Sequence, residues 1–378
     1  MELLQALFVS PFMDMWNEPA FFIETFTKGL LTGVLYSLVA LGFVLIFKAS
    51  GVFNFAQGVM ALFAALTLVG LLEFMQGKDM TANHLVGMTV VAAVVAIGML
   101  GLKKVNKISS VQAPYALLGF CAVVGFAWIL RTIGLPNYIL IPFAIVGTII
   151  TMIALAYLIE IAVLRPLVNQ ELIILFMSTL GLAYVLEGVG DLLWGSDVKI
   201  LDIGLPTDIY IAEFPFGDVY IEQLDMVAAV VAAAMVIILA IFFNKTRIGR
   251  ALRAVADDHQ AAMSVGIPLK TIWVIVWSVA GIVAMVAGVM WGSSSGVQFS
   301  LSLIALKALP VLILGGFTSI PGAIVGGLII GVSEKLAEVF WYDLHGGAIE
   351  NWFAYFVALA FLLFRPQGLF GEKIIERI

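Results

Sequence analysis

Charged residues are scarce in this sequence of 378 residues, since Asp, Glu, Lys and Arg together make up 12% of it. A soluble domain carries about 25% charged residues. The chain is also 62% hydrophobic, and its mean hydropathy is +1.11. Too little polar material remains to cover a water-facing surface, so we expect lipid to surround most of the chain. The composition predicts an all-α bundle that crosses a membrane many times.

Cysteine and histidine are equally rare. Cys121 is the single cysteine, which excludes an intramolecular disulfide bond. The three histidines, His84, His259 and His345, lie far apart and show no metal-ligand spacing, so we predict no metal site. No arrangement of His, Cys and Asp suggests catalytic residues, and no G-x-x-x-x-G-K-[ST] sequence is present. We therefore expect neither an enzyme nor ATP hydrolysis by this chain.

Apolar runs predict eleven membrane segments, because a helix needs about 20 residues to cross the hydrocarbon core. They lie at residues 22–47, 57–75, 83–102, 112–131, 139–163, 171–194, 226–244, 270–291, 302–316, 321–340 and 350–364. The ninth and eleventh runs are short, which leaves open a re-entrant, broken or tilted segment. Residues 1–21 lack the basic start of a signal peptide, and this predicts a short segment at the membrane interface.

The distribution of basic residues predicts the orientation. With the N-terminus outside and the C-terminus inside, 13 of the 19 Lys and Arg residues fall in cytoplasmic connections, as the positive-inside rule requires. The cytoplasmic parts then include a loop at 245–270 and a tail at 372–378. The acidic stretch 195–225 becomes the longest outside loop, and residues 22–371 form a single membrane domain.

The apolar pattern is interrupted between the first two spans. Backbone can leave helical geometry at membrane depth only where protein or a water-filled cavity satisfies it. Asn54 and Gln57 lie between Gly51 and Gly58, which predicts an unwound segment. This segment is either a lining of a translocation path or a tight turn whose amides cap helix ends.

Two further glycine-rich stretches interrupt the pattern. Residues 314–322 are followed by Gly326, Gly327 and Gly331, and glycines at this spacing let helices approach closely. The stretch is either a packing surface or a mobile element beside the path. Trp291 is followed by the small residues of 292–296 (GSSSG), which suit either an outer mouth that receives substrate or an ordinary turn.

Lys307 falls inside the ninth predicted span. An ionisable residue at depth is a functional candidate by default, although lysine can also extend to an interface. Ser178 and Thr179 lie in the sixth span, where they either line a polar path or hydrogen-bond between helices. With Asn54 and Gln57, these three residues make up the predicted translocation path.

The loop at 245–270 reads KTRIGRALRAVADDHQAAMSVGIPLK and is the most polar cytoplasmic connection. Residues 249–264 predict a short Ala-rich helix that ends at a glycine, the usual residue after a helix C-terminus. Such a helix is either a docking element for a groove in another protein or a basic loop that only sets topology. The predicted docking residues are Arg250, Arg253, Asp257, Asp258, Ala262 and Gly266.

Six sequence pieces, in this order, resemble the LivH-type permeases of branched-chain amino acid ABC importers. They are residues 54–58 (NFAQG), 164–167 (LRPL), 178–181 (STLG), 247–254 with the 257–266 stretch (RIGRALRA), 314–323 (LGGFTSIPGA) and 365–371 (RPQGLFG). The resemblance covers residues 28–75 and 139–371. Residues 78–136 depart from it as a helix pair inserted into the family pattern, and Gln57 stands where many members carry His.

The resemblance implies a multi-pass subunit in the inner membrane of a bacterium. Its loop at 249–268 would be the coupling helix that touches a cytoplasmic ATPase. The expected partners are a second similar permease, two ATPase subunits that hold ATP and Mg, a periplasmic binding protein and membrane lipid, with no nucleic acid. The cargo would be branched-chain or related amino acids, small amides or organic acids. The alternative from another class is an ion-coupled secondary transporter or a channel, which would need no ATPase.

Overall fold

The computed structural model describes residues 9–77, 113–167, 170–257, 262, 264–342 and 347–371. Helices dominate these residues, and the strands are confined to one short hairpin, which confirms the all-α class. The predicted span at 83–102 lies outside the described residues, as does the predicted tail at 372–378.

Twelve α-helices are present in the described ranges. They are α1 Ser10–Asn17, α2 Pro19–Ser50, α3 Gln57–Met75, α4 Ala113–Ile133, α5 Asn137–Ile159, α6 Leu172–Trp194, α7 Gln223–Lys245, α8 Arg247–Asp257, α9 Leu269–Ser295, α10 Ile304–Gly315, α11 Ile320–Phe340 and α12 Glu350–Phe364. A π turn, Glu160–Leu164, continues α5, and a short 3₁₀ helix, Phe299–Leu303, precedes α10. Ten of the eleven predicted segments therefore correspond to helices, because long apolar runs are the strongest signal that a membrane sequence carries.

Six of these helices are long and apolar enough to cross a membrane, among the residues that the structure describes. They are α2, α3, α5 with its extension to Leu167, α6, α7 and α9. The predicted spans at 302–316 and 321–340 are not two straight crossings. Phe299–Gly315 and Ile320–Phe340 form a pair bent by 116°, which is a broken span or a re-entrant loop. Gly316, at φ 102°, supplies the turn between them.

The chain divides into two compact units. One contains residues 1–48, 205–249 and 303–378, and the other contains residues 49–204 and 250–302. In the second unit, α3 is buried along almost its whole length, as expected for a helix that is apolar on all sides. Gly288 of α9 lets the two backbones meet, because a β-carbon there would overlap the Ala61 carbonyl of α3.

In the first unit, α2 and α11 pack through glycines. Gly29 and Gly33 of α2 face Gly327 and Gly331 of α11. A β-carbon on Gly331 would lie 2.5 Å from the Gly29 oxygen and from the Gly33 α-carbon. Small residues four apart allow this close approach in membranes, where helix packing relies on van der Waals contact. Of the two interpretations of the 314–331 stretch, a packing surface or a mobile element, the structure shows a packing surface at Gly327 and Gly331.

The acidic stretch 195–225 is more ordered than the predicted loop. It contains an antiparallel hairpin of β1 Ile209–Phe214 and β2 Gly217–Glu222, with Ile209 opposite Glu222 and Phe214 opposite Gly217. Most of its side chains are exposed, including Tyr210, Phe214 and Tyr220. The Tyr220 amide donates a hydrogen bond of 3.2 Å to Glu24 Oε2, which ties the hairpin to α2.

Candidate translocation and coupling sites

The break between α2 and α3 is held by two fully buried amide side chains, Asn54 and Gln57. Asn54 Nδ2 donates to Gln57 Oε1 at 3.1 Å, and Asn54 Oδ1 accepts from the Ala56 amide at 3.2 Å. Gln57 Nε2 donates to the Ala280 carbonyl of α9 at 3.1 Å. Asn54 thus satisfies a backbone amide of the unwound segment, and Gln57 ties the start of α3 to α9.

Thr179 completes this group from α6, and its side chain is fully buried. Its hydroxyl oxygen accepts a hydrogen bond from the Phe55 amide at 3.2 Å and lies 2.9 Å from the Phe53 carbonyl. The adjacent Ser178 instead donates to Leu175 in its own helix. The structure therefore brings Asn54, Gln57 and Thr179 together but leaves Ser178 out of this network.

These contacts are the ones that the turn interpretation of residues 51–58 requires. The amide and hydroxyl groups cap a broken backbone at the junction of three helices, α3, α6 and α9. A role of the same residues in lining a path remains a prediction. Residues at such a junction are well placed for it, because a helix break in a membrane concentrates polar groups at depth.

Replacing Thr179 with valine is expected to lower the free energy of unfolding by about 1–3 kcal/mol, because the buried Phe55 amide loses its acceptor. Thr179→Ser keeps the hydroxyl, and we expect it to lose less than half as much. Ser178→Ala removes only a bond within one helix turn and serves as the neighbouring control. Unfolding by SDS in mixed micelles measures all three; equal losses for the valine and serine variants would contradict the hydroxyl's role.

Lys307 lies in the other unit, in a group of four charged side chains and one tyrosine that we name the Lys307 cluster: Tyr36, Lys307, Glu334, Lys335 and Glu350. Lys307 Nζ is 2.9 Å from Glu334 Oε1 and 3.3 Å from Glu350 Oε1. Lys335 Nζ is 2.8 Å from Glu350 Oε2, and the Tyr36 hydroxyl donates to Glu334 Oε1 at 2.9 Å. Glu334 is fully buried. Its carboxylate is not solvated by water, so the ammonium group of Lys307 beside it neutralises the charge.

Sequence reasoning selected Lys307 but not its partners. The two acids come from α11 and α12 and lie 27 and 43 residues further along the chain. A usable signal was present, since Glu334 is itself an ionisable residue inside a predicted span and an acid is the natural partner of a buried lysine. The cluster joins α2, α10, α11 and α12. Lys307 therefore serves as an interhelical ion-pair partner in this conformation.

The coupling loop begins with a tight turn from α7 into α8. Thr246 Oγ1 accepts a hydrogen bond of 3.0 Å from the Gly249 amide, which is the usual arrangement at a helix N-cap. The same hydroxyl donates to the Phe242 carbonyl at 2.6 Å. A β-carbon on Gly249 would lie 2.5 Å from that carbonyl. Glycine is therefore required where α8 leaves the end of the membrane helix.

The loop ends as the sequence predicted. Gly266 has a left-handed φ of 85°, and the Ile267 amide donates to the Ala262 carbonyl at 3.1 Å. This six-to-one hydrogen bond after a left-handed glycine is a Schellman motif, which closes a helix C-terminus. The predicted helix at 249–264 starts two residues earlier than expected, since α8 begins at Arg247 and covers Arg247–Asp257. Residues 258–261 and 263 lie outside the described residues.

The described part of the loop has one buried side and one exposed side. Leu252 and Val255 are fully buried, and Ala262 is almost so. Arg250 is exposed, and Arg253 is half-buried. Asp258 and the side chain of Asp257 are outside the described residues. Among the described side chains of α8, the exposed ones include Arg247 and Arg250, so its exposed side is basic.

Four of the six sequence pieces that resemble the family are in contact, as two pairs. The piece at 365–371 returns to the bend between α10 and α11, where the Leu369 amide donates to the Leu314 carbonyl at 2.8 Å. The piece at 54–58 meets the piece at 178–181 through Thr179. A fifth piece, 164–167, contains Arg165, whose guanidinium forms two hydrogen bonds to the buried carboxylate of Glu160 at 3.2 and 2.8 Å.

Residues 25–365 match the family model described as the permease component of the branched-chain amino acid transport system. The chain belongs to this family. The permease BraD of Pseudomonas aeruginosa, from a high-affinity branched-chain amino acid transport system, is 27% identical over 94% of this chain and 98% of its own length. LivH of Escherichia coli K12, from a system of the same description, is 25% identical over 96% of this chain and all of its own.

A probable branched-chain amino acid transport permease, LivH of Methanocaldococcus jannaschii, is 28% identical over 69% of this chain and 82% of its own length. No solved structure shows a significant match to the chain. The family confirms that the chain is a membrane transport permease, as its motifs predicted. The six apolar helices described above provide the membrane spans that a permease needs.

Proposed function

We propose that this chain is the membrane-spanning permease subunit of an ATP-binding-cassette importer in a bacterial inner membrane. Its cargo is a branched-chain or related amino acid, with small amides or organic acids as the chemically nearest alternatives. The observation that carries the proposal is the family match over residues 25–365, which includes the loop that forms α8. The relatives BraD and LivH belong by name to high-affinity branched-chain amino acid systems.

The motor of this importer lies in other subunits. The chain lacks a phosphate-binding loop sequence, so ATP and Mg are held by two cytoplasmic ATPase subunits. The exposed basic side of α8 docks to them, with Arg250, Arg253, Asp257 and Asp258 setting the register by charge complementarity. Thr246 and Gly249 couple α8 tightly to α7. A displacement of α8 by the ATPases would therefore be transmitted directly to a membrane helix.

A second, similar permease and a periplasmic binding protein complete the importer. The β1–β2 hairpin lies in the predicted outside loop and presents exposed aromatic and acidic side chains, including Tyr210, Glu213 and Asp218. This surface suits a soluble partner with apolar and basic residues, because aromatic side chains supply contact area and acids select basic neighbours. We assign the hairpin to the docking of the binding protein.

The translocation path is wide and mostly apolar. Asn54, Gln57, Ser178 and Thr179 provide its few polar groups beside α3, and Lys307 lies where its charge is already paired. An apolar cargo side chain needs no buried counter-charge, and weak contacts let the cargo leave again. Selection of the cargo then falls mainly to the binding protein.

The proposal is tested by reversing one exposed charge on α8. We expect Arg250→Glu to weaken co-purification of the ATPase subunits about tenfold, a change of ~1.4 kcal/mol, and to reduce ATP-dependent leucine uptake in parallel. Lys245→Glu makes the same charge change at the end of α7, outside α8, and is the matched control. Pulldown in mild detergent with mass spectrometry, followed by uptake in proteoliposomes, gives both readouts.

The same experiment separates the two functional classes. Recovery of ATPase subunits and of a second permease with the unmodified chain supports the importer. Leucine uptake that persists without ATPases or ATP would instead establish an ion-coupled transporter or a channel. Equal effects of the two charge reversals would remove α8 from the docking site and leave the basic loop as a determinant of topology alone.

A further inference from the structure

An apolar groove runs between α3, α4 and α5 in the second unit. It encloses about 380 Å³, within the range of ~300–1,000 Å³ that is usual for small-molecule sites. Every residue that lines it is apolar, from Leu71 and Met75 on α3 to Phe126 on α4 and Phe143 on α5. α4 belongs to the segment 78–136 that the sequence predicts to be inserted into the family pattern, and it forms one wall of the groove.

Small residues keep the floor of the groove deep. Ala127 and Ala144 are buried beneath it. A β-carbon on Gly147 would lie 3.1 Å from Leu71 Cδ1 and from Val123 Cγ1, so even a methyl group there would crowd the floor. Larger side chains at these three positions would close the space between α4 and α5. The groove therefore stays open because small residues occupy these positions between the packed helices.

The rim of the groove faces an apolar surrounding. Phe126, Phe143, Val146 and Ile150 are each between 38% and 53% exposed. Both α3 and α5 are candidate membrane spans, so these side chains lie at the depth of lipid hydrocarbon. An apolar space of this kind does not hold water and takes up apolar molecules instead. In a bilayer the available apolar molecules are lipid acyl chains.

One end of the groove is polar and carries a positive charge. Leu130 lines the groove, and the next residue, Arg131, places its guanidinium 5.1 Å from the centre of the Phe74 ring. Just after α3, the exposed Gln76 Nε2 donates to Asn137 Oδ1 at the start of α5, at 3.3 Å. Polar side chains at the ends of apolar helices mark the membrane interface, where lipid phosphates lie, and the half-buried Arg131 at the end of α4 complements a phosphate.

We propose that this groove binds one acyl chain of a membrane phospholipid, with Arg131 at its mouth recognising the phosphate of the headgroup. The chain fills the apolar space along Ala127, Ala144 and Gly147, and the phosphate remains at the interface. The insertion thereby gains a specific role as a lipid-binding element. This inference does not depend on the cargo or on the ATPase partners.

The test counts tightly bound phospholipids on the purified full chain by native mass spectrometry, with palmitoyl-oleoyl phosphatidylglycerol as the titrant. The double variant Ala122→Phe/Val146→Phe fills the groove from two lining positions. Ile129→Phe adds an aromatic ring at an exposed position of the same helix that does not line the groove. We expect the double variant to lose one bound lipid and the control to keep it.

A second arm tests the headgroup. Arg131→Gln is expected to weaken binding of phosphatidylglycerol about tenfold and to leave binding of a diacylglycerol, which has no phosphate, unchanged. Size-exclusion profiles that match the unmodified chain show that the variants are folded. Equal lipid counts in the double variant and the Ile129 control would overturn the proposal, as would the absence of a retained lipid on the unmodified chain. Equal weakening of both lipids by Arg131→Gln would overturn the assignment of the phosphate.

Discussion

Replacing Lys307 with methionine is expected to destabilise the protein by about 3–5 kcal/mol, because the buried carboxylate of Glu334 loses its cation. The two groups are 2.9 Å apart, and the side chain of Glu334 has no exposed surface. Methionine preserves most of the volume of the lysine chain, so the loss reports on charge rather than on packing. The free energy of unfolding by SDS in mixed micelles, followed by circular dichroism, measures the effect.

Lys335→Met is the matched control for this prediction. Lys335 pairs with Glu350, and about a third of each side chain is exposed. A pair with that much solvent contact contributes ~0–1 kcal/mol. We also expect Glu334→Gln to recover most of the stability lost in Lys307→Met, since the amide removes the unpaired charge. Equal small losses in the two lysine variants would show that Lys307 does not neutralise Glu334 and would restore it as a residue of the path.

Replacing Gly331 with valine is expected to cost at least ~3 kcal/mol, at the upper end of the range for overpacking. A β-carbon at this position would lie 2.5 Å from backbone atoms of both Gly29 and Gly33, and backbone cannot rotate aside as a side chain can. The helices α2 and α11 must therefore separate along their shared surface. Because the Lys307 cluster also joins these two helices through Tyr36 and Glu334, we expect the two sites to be energetically coupled.

Gly188→Val on α6 is the control, since a β-carbon there has no atom within 4 Å. Valine has a higher helix propensity than glycine, so this variant should be neutral or slightly stabilising. Thermal unfolding in detergent and the yield of folded, monodisperse protein provide the comparison. A Gly331 variant as stable as the Gly188 variant would mean that α2 and α11 do not depend on close backbone contact.

The sequence predicted the span boundaries well because hydropathy is a local property. The runs at 57–75 and 350–364 coincide with the bounds of α3 and α12. The short ninth run left open a re-entrant or broken segment, and the pair α10 and α11 confirms it, but its bend of 116° was not predicted. A break is visible in composition, whereas its angle depends on the segments that pack against it.

The hairpin in the outer loop was missed even though its signal was present. Residues 209–214 are rich in β-branched and aromatic side chains, and residues 215–217, Pro-Phe-Gly, form a turn sequence. The acidic composition of the whole stretch predicted an outside loop, and the hairpin forms within that loop.

The polar groups of the candidate path were predicted from their unusual position, but their partners were not. Asn54 and Gln57 stood out as amides between glycines in an apolar region. Nothing local indicated that Thr179, 124 residues beyond Phe55, would accept its amide hydrogen. The same limit applies to Lys307 and Glu334. Long-range pairs follow from how helices are arranged, and a single sequence does not encode that arrangement in any one segment.

The return of residues 365–371 to the bend between α10 and α11 has a consequence for biosynthesis. The Leu314 and Gly315 carbonyls accept hydrogen bonds from the Leu369 and Phe370 amides, so the bend lacks two donors until residue 370 has been synthesised. Membrane insertion of the earlier helices can proceed without them. We therefore expect this bend to mature after the earlier helices, and chains that terminate before residue 369 to be degraded by membrane proteases.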